Sequence, residues 1–281
     1  MFNKISNSWE LLKASAKVLQ ADKELLLFPI ISAVGVFLVT ATFFIPMLAT
    51  DFLSAFTSSK IPFLNYFVVF LYYIVQYTVI FFANTALVGA AIIRLKGGDP
   101  TLADGFRVAS QRFVPILGYA LIAATVGLIL KAISDRSKSL GRFVVSLIGL
   151  AWNIATYLVV PILAVEEVGP IDAIKRSVNL LKQTWGEQIV GNFSINTIFG
   201  LISMGVVLVG VALGAVVIAL ELSWVFLVVI GALLILTLVL IGLVSSTLNG
   251  IYTAAVYQYA TTGEAGEFFN PDLVQNAFRL R

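Results

Sequence analysis

Residues 222–260 read LSWVFLVVIGALLILTLVLIGLVSSTLNGIYTAAVYQYA and contain no Asp, Glu, Lys or Arg. A helix needs about 20 consecutive apolar residues to cross a hydrocarbon layer roughly 30 Å thick, so this run is more than long enough to span a membrane. A split into two spans would need a polar turn near Gly231 or Gly242, and both are flanked only by Ile, Ala and Leu. The run is therefore expected to form one helix that tilts or projects beyond the bilayer. Five similar runs precede it, at residues 25–49, 62–93, 113–130, 143–165 and 189–220. The whole chain is 59% hydrophobic and 12% charged, with a mean hydropathy of +0.99, far from the balance of a soluble domain. The expected class is an all-α polytopic membrane protein with six transmembrane helices. A transmembrane β-barrel would alternate apolar and polar residues in short segments, and these continuous runs do not. No cleavable signal peptide is expected, because Lys4, Lys13, Lys17 and Lys23 are mixed with Glu10, Asp22 and Glu24 before the first run.

Three of the runs end in the same punctuation, a capping residue and a proline followed by a short amphipathic stretch: Asp99-Pro100, Gly169-Pro170 and Asn270-Pro271. Proline at the first helical position loses no hydrogen bond, and Asp or Asn before it can cap free N–H groups, so each site is expected to start a helix. After Pro170, apolar residues at 171, 174, 178, 181 and 185 form one helical stripe; Phe2, Ile5, Trp9, Leu12, Ala16 and Leu19 form another. The two stretches share S-x-x-L-L-K, at Ser8 to Lys13 and Ser177 to Lys182. Gly89-Ala90-Ala91-Ile92 and Thr253-Ala254-Ala255-Val256 echo one another near the ends of the second and sixth runs, where small residues let helices approach closely. The expected architecture is three hairpins in one membrane domain, each introduced by an amphipathic helix. The units are approximately 1–98, 99–168 and 169–269, with a last amphipathic helix at 270–281.

Short cytoplasmic loops carry the excess of Lys and Arg. With the N-terminus inside, that side holds Lys4, Lys13, Lys17, Lys23, Arg94, Lys96, Arg107, Arg112, Lys175, Arg176, Lys182, Arg279 and Arg281. The other side holds Lys60, Lys131, Arg136, Lys138 and Arg142, so both termini and the amphipathic helices are expected on the cytoplasmic face of the inner or plasma membrane. The cations between 131 and 142 argue locally against this and are outnumbered.

The chain has no Cys and no His, which removes disulfides, thiol nucleophiles, the commonest general base and the usual zinc, copper and haem ligands. Glu166-Glu167 is the one adjacent acid pair, and helical neighbours point about 100° apart, so no metal or other cofactor is expected. No nucleophile and base pair can be named, so no enzyme is expected. Polar residues inside spans are costly and normally face the bundle interior. Asn84, Asn153, Asn192, Asn196 and Asn249 form a candidate intramembrane cluster, either bonding between helices or lining a path for a small solute. Lys175, Arg176 and Lys182 are candidate contacts for phospholipid headgroups, since basic residues on a surface helix favour anionic lipid by about 1 kcal/mol each. The expected partners are membrane phospholipids, with a second copy or another membrane protein as further options, and no nucleic acid.

The stretch Pro161-Ile162-Leu163-Ala164-Val165-Glu166-Glu167-Val168-Gly169-Pro170, with Asp172 to Ser177 and Trp185-Gly186 after it, resembles a group of bacterial and archaeal six-helix membrane proteins. That group includes the membrane domain attached to some glycerophosphodiester phosphodiesterases and the YciC-like inner-membrane proteins. The opening from Ile5 to Lys13, with Asp22 to Pro29, is similar to a narrower family of unknown function. The resemblance covers essentially the full chain and implies a six-helix cytoplasmic-membrane protein. It implies no activity, because the phosphodiesterase barrel with its clustered carboxylates has no counterpart here.

Overall fold

The computed structural model describes residues 2–49, 62–185 and 194–276, and every regular element among them is helical. The elements are α1 (Phe2–Ala21), a 3₁₀ turn (Lys23–Leu26), α2 (Leu27–Ala49), α3 (Pro62–Leu95), α4 (Leu102–Gln111), α5 (Phe113–Arg136) and α6 (Ser139–Ala155). They continue with α7 (Val159–Val165), α8 (Pro170–Trp185), α9 (Ser194–Ala219), α10 (Trp224–Thr262) and α11 (Pro271–Asn276). Six segments are long and apolar enough to cross a membrane: Lys23–Pro46, Phe67–Leu95, Phe113–Arg136, Ser139–Val165, Ile198–Ala219 and Trp224–Thr262. They correspond to the six runs, and α10 is a single 39-residue helix. At 1.5 Å per residue it is roughly 58 Å long, about twice the hydrocarbon thickness.

The core sits at one end of the bundle. α3 is its hub, packing against α2, α4, α5, α7 and α10. Its last turns are buried on every side through Thr85, Ala86, Leu87, Val88, Ala90, Ala91, Ile92 and Leu95, as expected of a helix that is apolar all round and central. The C-terminal third of α10 is buried likewise, through Leu248, Ile251, Ala254, Ala255 and Val256. Small residues allow the contact: a Cβ on Gly250 would overlap the Leu87 side chain, so α10 and α3 approach only because none is there. Away from this end, α9 and the first half of α10 pair with each other and present Leu201, Leu208, Leu213, Val228, Leu236 and Leu240 outward. Exposed apolar side chains at that density belong in hydrocarbon.

Two local expectations are corrected. The fourth run is not one helix: Thr156 ends α6, and α7 restarts at Val159. Pro161 accounts for this, because it has no N–H to offer and its ring crowds the carbonyl four residues back, at Tyr157. The first punctuation site, Asp99-Pro100, also differs, since α4 starts at Leu102 with Thr101 as its cap, two residues after Pro100. Thr101 and Asp104 form a reciprocal capping box, which outcompetes a proline start. The other two sites start helices at Pro170 and Pro271, and Asn270 Oδ1 accepts the Asp272 N–H at 2.9 Å.

Candidate functional site

Several charged side chains near the buried ends of α3 and α10 are paired. Arg94, at the end of α3, donates through Nη1 to Gly98 O (3.1 Å) and Asp99 Oδ1 (3.0 Å), and through Nη2 to Ala21 O (3.1 Å). It thereby ties α3 to the end of α1. Glu24 Oε2 accepts the Leu102 N–H at 3.0 Å, fixing the start of α4 on the 3₁₀ turn. The Thr101 hydroxyl and amide donate to Asp104, and these bonds hold its carboxyl below the usual carboxylate range. Asp22 is displaced upward, mainly by burial, although its Oδ1 accepts the Glu24 N–H.

Glu166 and Glu167 do not lie on a helix. Glu166 follows α7 in an extended conformation (φ −90°, ψ 145°), so the two side chains diverge. Glu166 Oε1 accepts Arg176 Nε at 3.3 Å and the Tyr257 hydroxyl at 3.1 Å, whereas Glu167 Oε1 accepts Arg112 Nη2 at 3.2 Å. The pair is thus a strap: one arm reaches α8 and α10, the other the start of α5. Asp172, in the first turn of α8, pairs with Lys175 at 3.2 Å, where the helix dipole also favours an acid. Every acid named here has a structural partner and none converges on a common point.

The sequence placed Ser177 in the S-x-x-L-L-K echo but assigned it no bonding role, and no spacing rule would have. It is fully buried, and its Oγ accepts the Leu158 N–H at 3.1 Å. Leu158 lies in the break between α6 and α7, where the regular i→i−4 bond is lost, so α8 supplies the acceptor that the interrupted span lacks.

The face that α8 buries is partly displaced from its apolar stripe. Buried residues are Ala173, Ser177, Leu180 and Leu181, while Ile171 (59%) and Val178 (41%) are exposed. Leu181 belongs to the stripe and is buried, and Ile174 packs half-buried against the core, so the buried face overlaps the stripe and is shifted only partly, towards Ala173 and Ser177. α1 behaves the same way: it buries Ser15 and Val18 along with Leu11 and Leu12, keeps Ala16 and Leu19 half-buried against the core, and leaves Trp9 exposed. The physical reason is close packing, since Ala173, Ser15 and Ser177 let these helices settle against the bundle while Trp9, Ile171 and Val178 stay outside the contact. In α8 the spacing i, i+4, i+7 and i+11 puts Ile171, Lys175, Val178 and Lys182 on one exposed strip. Arg176 lies to the side, committed to Glu166.

The candidate asparagines are scattered. Asn84 on α3 and Asn249 on α10 are half-buried, whereas Asn153 lies on the exposed side of α6 and does not face the interior. Asn192 and the side chains of Asn196 and Trp185 lie outside the described residues, as do Lys60, Arg279, Arg281 and the start of the fifth run. Nearby, Thr253 donates to Asn249 O at 2.8 Å, the intrahelical bond common to threonines in membrane helices.

The profile of a family of unknown function, DUF6159, matches residues 63–268, well over half of the 281-residue chain. No curated protein and no solved structure matches it.

Proposed function

The chain belongs to DUF6159, a family of unknown function, and we propose that it is a non-enzymatic membrane module that engages phospholipid through its surface helices. In this reading its spans form three hairpins, α1, α4 and α8 are the amphipathic helices that introduce them, and both termini are cytoplasmic. The membrane is the inner or plasma membrane, and the core end faces the cytoplasm. The echo Ser8 to Lys13 and Ser177 to Lys182 supports the repeat, because Leu11 and Leu12 are buried as Leu180 and Leu181 are. The wider likeness to phosphodiesterase membrane domains and YciC-like proteins adds no activity to it.

One observation carries the lipid reading: the exposed strip of Ile171, Lys175, Val178 and Lys182 on α8. A helix that turns two of its apolar side chains, Ile171 and Val178, away from its own protein beside Lys175 and Lys182 suits the boundary between acyl chains and headgroups. Purification of the full chain from an anionic membrane tests this. Lys175→Gln with Lys182→Gln is expected to lower the phospholipid retained, and Ile171→Ser to lower it further, without change in thermal stability. Unchanged lipid content in both variants overturns the reading.

The alternative is a permease or channel with a path among the asparagines. The broken fourth span favours it, since interrupted helices often expose backbone groups to a solute. Here the Leu158 N–H is already taken by Ser177, and Asn153 faces outward, so the lipid reading is preferred. Solute uptake into vesicles that is abolished by Asn84→Leu would reverse that preference.

A further inference from the structure

A partly open cavity of about 510 Å³ lies between α2, α3, α4 and the start of α5. Its walls include Ile31 and Gly35 on α2, Val79 and Phe82 on α3, Phe106 on α4 and Phe113 on α5. Phe82 stacks on Phe106 at 6.1 Å and meets Phe113 edge-on at 6.3 Å, which makes a stiff aromatic floor. α2 and α3 pinch together beside it, because a Cβ on Gly35 would lie 2.8 Å from Val79 Cγ1. Among the described residues none that lines the space is charged, and the Thr78 hydroxyl donates to Ile74 O at 2.7 Å.

We propose that this groove holds one acyl chain of an anionic glycerophospholipid, with the headgroup at the α4 end; the occupant class rests on the lipid-engaging reading above. The volume lies within the range of about 300–1,000 Å³ typical of small-molecule sites, and an apolar lining suits hydrocarbon. Continuity decides what fills it. The α2 and α3 walls belong to spans, and exposed apolar side chains continue along the same helices: Val34 and Phe37 flank Gly35 on α2, and Leu117 lies one turn after Phe113 on α5. The groove is therefore an inward fold of the lipid-facing surface, and lipid is the solvent that reaches it. Charge supplies the polarity of the chain: Arg107 and Arg112 adjoin Phe106 and Phe113 in sequence, whereas the opposite direction runs along uncharged span residues. Both arginines sit in partly exposed ion pairs, to Asp104 and Glu167, and such pairs are weak, so a phosphate can compete for them.

The experiment uses the full chain in vesicles of phosphatidylcholine and phosphatidylglycerol in equal parts. A trace of phosphatidylglycerol carries a photoreactive diazirine on one acyl chain, and labelled peptides are located by mass spectrometry. The expected result is a several-fold excess of label on the α2, α3 and α4 walls over the outer faces of α9 and α10. That excess is lost in Ser32→Phe and in Ser110→Trp, which fill the groove from two ends. Ser110 is exposed at the end of α4, so its variant keeps the test sharp if Ser32→Phe does not fold. Label spread evenly over the lipid-facing surface, or groove label unaffected by either folded variant, overturns the proposal. So does label from a photoreactive fatty acid with none from the phospholipid. Lys175→Gln with Lys182→Gln separates the two readings, because it lowers total retained lipid and leaves groove label intact. Loss of the groove alone leaves the α8 reading standing.

Discussion

Ser177→Ala removes the acceptor that the broken fourth span borrows from α8. Both Ser177 and Leu158 are fully buried, and the Leu158 N–H donates to Ser177 Oγ at 3.1 Å. With the hydroxyl gone, the amide is left unsatisfied in a dry interior, a penalty of about 1–3 kcal/mol. The site also loses a small polar atom, a minor packing change beside that. Taking about 2 kcal/mol, and about 2–4 °C per kcal/mol for a chain of this size, the melting temperature falls by roughly 4–8 °C. Tryptophan fluorescence during heating in detergent reads the midpoint, and amide exchange reads the Leu158 N–H directly. Ser177→Cys nearly preserves volume but offers only a weak acceptor, so an intermediate loss is expected. A larger loss in the Cys variant than in Ala, or an unchanged midpoint with Leu158 exchange still slow in Ala, would refute the reasoning. The first outcome would make packing the cause, and the second would mean that the amide finds another partner.

Gly105→Ala places a Cβ 2.7 Å from Ala86 O and against the Phe28 ring, so α4 must lift off α3 and α2. A loss of about 1–3 kcal/mol is expected, visible as a lower midpoint and faster exchange along α4; wild-type behaviour would show that α4 is loosely docked. Asp104, whose carboxyl is lowered by the Thr101 bonds, contributes stability that is present above its unfolded value near 3.8 and lost as pH falls through the lower folded value. Asp104→Asn is accordingly expected to melt below wild type at pH 7, with the gap closing at strongly acidic pH; a gap constant with pH would contradict the assignment.

The spans were legible because crossing a bilayer is a demand on composition over about 20 residues, and a sequence displays composition directly. The same holds for the α8 and α11 starts at Pro170 and Pro271, which depend on near neighbours. Where two local signals competed, the sequence alone misjudged the winner: the Thr101 and Asp104 capping box moved the start of α4 past Pro100, and Pro161 broke a run whose hydropathy is unbroken.

Periodicity by itself determined that α1 and α8 have an apolar stripe, but not which of its residues face the core. Tertiary packing decided that, by burying Ser15 and Ser177 where a close contact needs small side chains and turning Trp9, Ile171 and Val178 outward. It also decided that Glu166 and Glu167 are a strap between helices, that Ser177 completes an interrupted span, and that a groove opens between α2 and α4. Each of these joins residues far apart in the chain through contacts specific to this packing, whereas membrane spanning is local and additive along the sequence.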